Sequence, residues 1–377
     1  MSTASFWLDE PTEPLPRVVL DGTVDVAVVG GGITGCACAL ALAEAGKRVR
    51  LFEAREIAGG ASGRNGGFAL RGGAAAYPVL VESIGAEATA SIWRWTETEL
   101  AALRALAGDA FRHTGSLRLA ADDDERDELR EEYDALVEAG FAAEWREDLP
   151  SPLAGRYPAA LFHPPDGVLQ PARLVRRIAR RAAEAGVEIH EHTRVAALED
   201  AGAEAVVVAT DGYPSDLLGE LEGLVVPTRG QVIATEPIAE MLFELPHYGR
   251  HGFDYWHQRP DGRIVAGGFR DVSLDTEFTA EEVTTPVVQD ALERFVEEHI
   301  GRPLRIDYRW AGIFGMVLDF LPVVGRVAGD DRLWMAGGYS GHGNVLGFAS
   351  GRLVARAILG DRDPLLDHFE PSRLATY

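Results

Sequence analysis

The chain has 377 residues, 46% of them hydrophobic and 25% charged, with a formal net charge of −23. That length and balance suit a folded protein of two domains. So large a negative charge argues against nucleic acid or an anionic membrane surface as a partner, because both select basic surfaces. No apolar run approaches the roughly 20 residues that span a bilayer. The N-terminal MSTASFWLDEPTEPLPR lacks the basic-then-apolar plan of a secretory signal. The expectation is a cytoplasmic protein with no membrane insertion.

Residues 1–23, rich in proline and polar side chains, read as an extended arm. Residues 24–29 are a continuous apolar strand, followed by GGGITG and a helix of small residues to Ala45, with Gly46 where a helix C-cap belongs. Residues 48–52 are the next strand and lead into Glu53. Gly30, Gly32 and Gly35 stand in G-x-G-x-x-G spacing. The first allows the tight turn out of the strand, the second lets backbone approach a pyrophosphate, and the third lets the helix pack closely. The helix N-terminus offers free N–H groups to the phosphate, and Glu53 can accept the ribose hydroxyls of an adenosine. An acidic residue there disfavours a 2′-phosphate but does not separate NAD from FAD. Cys36 and Cys38, two apart on this helix, fit neither a disulfide framework nor a CxxC motif.

A second glycine-rich loop follows, AREIAGGASGRNGGFALRGG, carrying Ser62, Arg64 and Asn65. A nicotinamide enzyme needs no such loop. A flavin enzyme does, because its pyrophosphate and ribityl chain continue past the first turn and need backbone N–H groups and small hydroxyls beside them.

Residues 77–107 read as helix and 115–120 as strand. Residues 122–139 form a charged helix whose acidic run, DDDERDELREE, is a solvated face. Residues 171–186 are a basic amphipathic helix, and EIHEHTRVAAL a strand. His190 and His192 share a face there, but no third ligand is apparent and no metal is expected. Residues 205–210 are a buried strand ending in the turn TDGYP.

From about residue 226 the chain turns strand-rich: PTRGQVIATEP, then DYWHQ-RPDG-RIVAGG as a hairpin. In DYWHQ, Tyr255 and His257 share one face and Asp254 and Trp256 the other; one face should look toward the cofactor. Residues 281–300 read as helix and 305–312 as strand. LWMAGGYSGHGNVLGFASGRLVARAI then restores a strand, a glycine loop and a helix. Gly341 and Gly343 are followed by Gly347 where the dinucleotide spacing wants 346, so this stretch reads as the returning wall of the same site, with His342 at its tip. The fold class is α/β: a Rossmann-like FAD-binding domain of glutathione-reductase type, residues 1–76, 151–225 and 314–377. A second, α+β substrate domain on a mostly antiparallel sheet takes residues 77–150 and 226–313.

VVGGGITG, GASGRNGG, TRVAAL, VVVAT, RGQ and GGYSGHG occur in this order over nearly the whole chain. Together they resemble the D-amino-acid oxidase superfamily of FAD enzymes, which includes glycine and sarcosine oxidases, and within it the γ-glutamylputrescine oxidase-like branch. The resemblance implies FAD held by Gly30, Gly32, Ile33, Thr34, Gly35, Glu53, Ala54 and Arg55. Along the pyrophosphate and flavin edge it implies Ala61, Ser62, Arg64, Asn65, Gly66 and Gly67. It places the backbone of Val195 at the adenine, Ala209 and Thr210 where a buried strand meets the cofactor, and Gly312, Gly338, Tyr339, Gly341, His342 and Gly343 in the returning wall.

It further implies oxidation of the C–N bond of a small amine or amino acid to an imine, by hydride transfer to flavin N5. Oxygen is the expected acceptor, giving peroxide; a quinone or carrier is the alternative. A flavin-binding subunit without chemistry and an NAD enzyme are the rival readings. WAGIFGMVLDF has no cysteine, which excludes a thioether tether there; FAD is expected to be non-covalent, with a histidyl link left open. The connection between TRVAAL and VVVAT is shorter than is usual in the superfamily. The expected catalytic residues are His342, Tyr255 and Arg64, with Arg229 and Arg309 as further candidates for a substrate carboxylate. The single lysine, Lys47, follows the helix C-cap, far from the phosphates. The charge that stabilises reduced flavin is therefore expected from His342.

Overall fold

The computed structural model describes residues 4–213, 217–218 and 223–376. Strand Val24–Val29 lies at the centre of a six-stranded sheet. On one side come Val49–Phe52 and Glu188–His190, on the other Ala203–Val208, Leu333–Gly337 and Val323–Arg326. All pairings are parallel except the last, between Leu333–Gly337 and Val323–Arg326. The central strands are nearly continuous apolar runs because both faces are buried, one by helices and the other by Val195, Ala201, Leu217, Val317 and Leu374. Val26, Val28, Leu51 and Val207 are essentially inaccessible. Helices Ile33–Glu44, Pro171–Glu184 and Gly343–Ile358 share the core on one face. The strand order reverses between Val24–Val29 and Ala203–Val208, and a crevice opens at the carboxyl ends of strands at such a point.

The second sheet has eight strands, in the order Ile306–Met316, Val226–Thr235, Ile264–Gly268, Asp254–Gln258, His247–Gly249, Ser116–Leu119, Ala160–His163 and Glu144–Arg146. Every pairing is antiparallel except His247–Gly249 with Ser116–Leu119. Helix Pro286–Ile300 covers one face, where Trp256 and Ile233 meet Val288, Leu292 and Phe295. A three-stranded sheet of Phe68–Ala69, Gly167–Leu169 and Phe111–His113 lies at the junction.

Several local features differ from the sequence reading, each for a physical reason. The helix expected over 281–300 starts at Pro286, whose fixed φ and missing N–H suit a first helical position. The helix over 77–107 is two, Tyr77–Ile84 and Ala86–Ala107, parted at Gly85 with φ 86°. The strand read through 188–198 ends at His190. The N-terminal segment is not simply extended: Phe6–Leu8 is a 3-10 turn, and Trp7 is fully buried. Ala160–His163 joins the eight-stranded sheet, beyond the boundary drawn at 150/151, and Ile306–Met316 runs through the one drawn at 313/314. We propose ending both substrate-domain segments after these strands.

Candidate flavin and substrate site

The crevice is a groove built on the first turn. Gly30 has φ 115°, and a Cβ there would lie 2.5 Å from the Ala209 carbonyl oxygen. A Cβ on Gly35 would lie 1.9 Å from the Gly30 oxygen and 3.2 Å from Val28, so this glycine packs the helix on the turn as well as on the sheet. A Cβ on Gly32 would meet Ser62 Oγ at 2.9 Å. The second loop thus lies directly over the first, and the Ile33 N–H at the helix start donates to Ser62 Oγ at 2.9 Å. Glu53 accepts from the Gly31 N–H at 2.6 Å through Oε2 and from the Arg55 N–H at 2.8 Å through Oε1.

Of the residues placed at the cofactor by resemblance, Gly30, Gly32, Ile33, Thr34, Glu53, Ala54, Arg55, Ala61, Ser62, Asn65, Val195, Ala209, Thr210, Tyr339, Gly341 and Gly343 line this groove. Arg55 is at the same time paired with Glu282 at 2.7 Å. Gly35, Gly67 and Gly338 act from behind. Gly67, with φ 79°, turns toward Leu169, and Gly338, with φ 73°, toward Val317.

At Ala61, Asn65, Phe314, Gly341 and Asn344 the groove opens into an inner chamber. Arg64, Gly66, Tyr255, Gly312 and His342 line it, along with Tyr248 and Arg270. Leu70, Tyr248, Arg270, Phe320 and His342 are shared with an outer chamber beyond. In DYWHQ, the face of Tyr255 and His257 meets the second glycine loop. Tyr255 packs on Gly66, where a Cβ would come within 2.6 Å of its ring, and His257 Nε2 lies 3.0 Å from the Gly66 oxygen. Trp256 faces the other way, into the core beneath Pro286–Ile300.

His342 caps helix Gly343–Ile358, its N–H donating to the Tyr339 oxygen at 2.9 Å. Its ring stands edge-on to Tyr248, with centroids 5.9 Å apart, and Nδ1 is buried without a partner among the described residues. Burial, reinforced by the charges of Arg118 and Arg270, lowers its pKa to about 4. At that value the imidazole is neutral near pH 7, whereas the sequence reading expected it to carry a charge.

Arg270 is the residue the sequence reading missed. It lines both chambers, and its guanidinium carbon sits 4.3 Å over the Phe253 ring. Burial lowers its pKa, while Tyr248, Tyr255 and Asp271 oppose the shift; an arginine stays cationic through a shift of this kind. Among the described residues it makes no ion pair. The arginines named from sequence are engaged. Arg229 makes a buried two-point pair with Glu277, at 2.8 Å in both contacts. Arg309 pairs with Glu293 at 2.7 Å. Arg64 holds the Gly59 and Ala311 oxygens at 3.0 and 3.2 Å. Gly268 pairs with Asp254, so the chain just past Gly268 emerges beside Phe253, the ring that Arg270 covers.

Asp211 was also missed, read only as part of a turn. Its carboxylate accepts from Gly338 N–H at 2.8 Å and Gly315 N–H at 3.1 Å, fastening the returning wall to Ile306–Met316. Burial raises its pKa, and these N–H donors oppose the rise. Cys36 and Cys38 are fully buried in the helix, their thiols pushed up by burial. Lys47 is exposed at the helix's far end.

The family described as FAD dependent oxidoreductase (DAO) matches residues 25–357. The chain belongs to this family. It is 30% identical over 399 residues to the gamma-glutamylputrescine oxidoreductase of Escherichia coli K12, an alignment covering 96% of this chain and 90% of that protein. Among solved structures, L-proline dehydrogenase from P. horikoshii superposes with TM-score 0.79 at 21% identity, covering 96% of this chain and 99% of that one. Glycine oxidase from Geobacillus kaustophilus superposes with TM-score 0.74 at 22% identity, covering 93% and 99%. At these identities the two structures show a shared fold.

The protein is an FAD-dependent oxidoreductase, which sets aside the nicotinamide reading. The residues present fit the cofactor: a glycine cradle that a Cβ would fill, a helix N-terminus, and Glu53 at the strand end. The peptide N–H groups of Asn65 and Gly66, on residues lining the inner chamber, have no partner among the described residues. No helix among the described residues is long and apolar enough to cross a membrane.

Proposed function

We propose that the protein oxidises the C–N bond of a small amine that also bears a carboxylate, an amino acid in the broad sense, with oxygen as the acceptor. The observation that carries the carboxylate is Arg270, a cation held over Phe253 at the meeting of two chambers with no acidic partner among the described residues. A substrate carboxylate would supply that partner through a charge-assisted pair.

Among the described residues, the inner chamber has arginine and histidine in its lining but no aspartate or glutamate. A buried amine beside Arg270 is therefore held in its neutral form, since both desolvation and a nearby cation disfavour a second positive charge. The neutral form has the lone pair that becomes the C=N bond as hydride leaves the α-carbon. FAD supplies the two-electron acceptor for that step. His342, neutral with Nδ1 unpartnered, offers a hydrogen-bond acceptor to the substrate N–H or to a water. Tyr248 and Tyr255 wall the chamber and limit water beside the reacting carbon. The cation of Arg270 also favours the build-up of negative charge on reduction.

We propose that FAD is bound without a covalent link; both cysteines lie inside the helix core, away from the chambers. No lysine lines either chamber, which keeps a quinone or carrier as the second reading for the acceptor. A panel of amino acids and their decarboxylated amines, followed by peroxide release, tests the proposal. Peroxide from amino acids only is expected. Turnover without peroxide, detected with an artificial acceptor, selects the second reading, and activity on the decarboxylated amines alone removes the carboxylate.

A further inference from the structure

Five consecutive peptide carbonyls of the second glycine loop are drawn away from the chambers by five donors from four distant segments. The Gly63 oxygen accepts from Ser5 Oγ at 2.6 Å, Arg64 from the Trp310 indole at 2.9 Å, and Asn65 from the Trp7 indole at 2.7 Å. The Gly66 oxygen lies 3.0 Å from His257 Nε2, and the Gly67 oxygen accepts from the Leu169 N–H at 2.8 Å. A carbonyl only accepts, so His257 carries its proton on Nε2. In a trans peptide the C=O and the following N–H point in opposite directions. Drawing back the Arg64 and Asn65 carbonyls therefore turns the Asn65 and Gly66 N–H groups outward. Neither of these N–H groups has a partner among the described residues, and both residues line the inner chamber. The neighbouring N–H groups are used internally, Arg64 on the Ala61 oxygen at 3.1 Å and Gly67 on Asn65 Oδ1 at 2.8 Å.

Two of the five anchors belong to the N-terminal segment. Ser5 and Trp7 are fully buried, and Trp7 is held in turn by Gln170, whose Nε2 donates to its carbonyl at 2.9 Å. The Trp7 ring lies nearly parallel to His257, and a Cβ on Gly67 would come within 3.2 Å of it. Asp9 accepts from the Tyr308 hydroxyl at 2.7 Å and Glu10 is paired with Arg173. That is far more fastening than a surface arm needs.

We infer that the N-terminal segment is a working part of the flavin site, with Trp7 a positioning residue that aims the Gly66 N–H at the bound cofactor. An aimed peptide N–H is a fixed dipole that favours the more negative, reduced cofactor over the oxidised one. Loss of the indole N–H frees the Asn65–Gly66 peptide to rotate, and the preference for reduced FAD falls with it. Trp7→Phe keeps a ring and removes the donor; Trp7→Ala removes both.

The test is the two-electron midpoint potential of FAD in the purified holoenzyme, read beside the melting temperature. For Trp7→Phe the expected result is about a tenfold loss in the ratio of reduced to oxidised FAD affinity, a potential lower by about 30 mV. A potential unchanged in Trp7→Phe, with only the melting temperature lowered, overturns the inference and leaves Trp7 a packing residue. Hydrogen exchange on the wild-type protein reads the same geometry if the variant does not fold. Protection of the 65–66 amides on adding FAD to apoprotein is expected, and exchange equally fast with and without FAD overturns it.

Discussion

The molecule contains two strand–glycine loop–helix units that look alike in sequence and do different work. In the first, GGGITG, the glycines clear a groove: side-chain atoms at Gly30 or Gly32 would run into the Ala209 carbonyl or Ser62. In the second, GGYSGHGNVLGFASG, the later glycines clear a helix–helix contact. A Cβ on Gly347 would lie 2.8 Å from Thr34 Oγ1, and one on Gly351 2.2 Å from the Thr34 oxygen. The Tyr339 hydroxyl meets Thr34 Oγ1 at 2.9 Å, so the second unit rests on the first helix and adds a wall to its groove. A glycine-rich turn before a helix is thus ambiguous until the partner of each missing side chain is known. The displaced Gly347 was the clue, and its meaning was packing.

The contrast can be broken by substitution. Gly35→Ala should have the largest effect: with the Gly30 oxygen 1.9 Å from the new carbon, the first turn cannot keep its shape. The expected outcome is little folded, FAD-bearing protein, read as the yield of yellow holoenzyme. Gly351→Ala should cost about 3 kcal/mol, in the range of overpacked cores, seen as a lower denaturation midpoint. FAD affinity measured under native conditions should change less than tenfold. If Gly351→Ala instead kept its stability and lost FAD, the second unit would be a nucleotide site after all.

Smaller effects sharpen the division of labour at the chambers. Arg270→Gln should raise the apparent Kd of a carboxylate substrate roughly 10- to 100-fold, the scale of about 1.5–3 kcal/mol for a hydrogen bond to a charged group, with stability little altered because no protein carboxylate is left behind. The buried histidines predict an acid limb in stability. Burial holds His247 and His257 at about 3 and His342 at about 4, whereas an unfolded histidine titrates near 6.5. Below about pH 6.5 the unfolded chain takes up protons that the folded chain refuses. Stability therefore falls as pH drops from about 6.5 toward 4, and chemical denaturation at pH 7 and 5 measures it. The same shift predicts no His342 step in the rate of flavin reduction between pH 6 and 9. A step near 6.5 that vanished in His342→Asn would restore the charged histidine. Lys47→Gln, at the exposed far end of the first helix, should change neither half-reaction.

The nucleotide groove was legible in the sequence because its requirements are local: a turn needing glycine, a helix start, and an acidic residue at the next strand end all lie within residues 24–53. The chambers were less so, because they form where distant segments meet. Arg229 looked available in RGQ and proved to be locked to Glu277 across a 48-residue separation. Arg270 was not singled out, because nothing local to the end of RIVAGGFR shows that its side chain will line both chambers. Trp7 sat in what read as an arm, since no local pattern announces that its indole will meet the carbonyl of Asn65, 58 residues away.

The central claim, that these chambers oxidise an amine held by its carboxylate, is tested most directly by anaerobic mixing of holoenzyme with amino acids and with the matching decarboxylated amines, watching the flavin absorbance bleach. Bleaching by one or more amino acids is expected, with weak or absent bleaching by their decarboxylated partners and a loss of affinity for the amino acids in Arg270→Gln. Equal bleaching by both members of each pair, with Arg270→Gln indistinguishable from wild type, would contradict it.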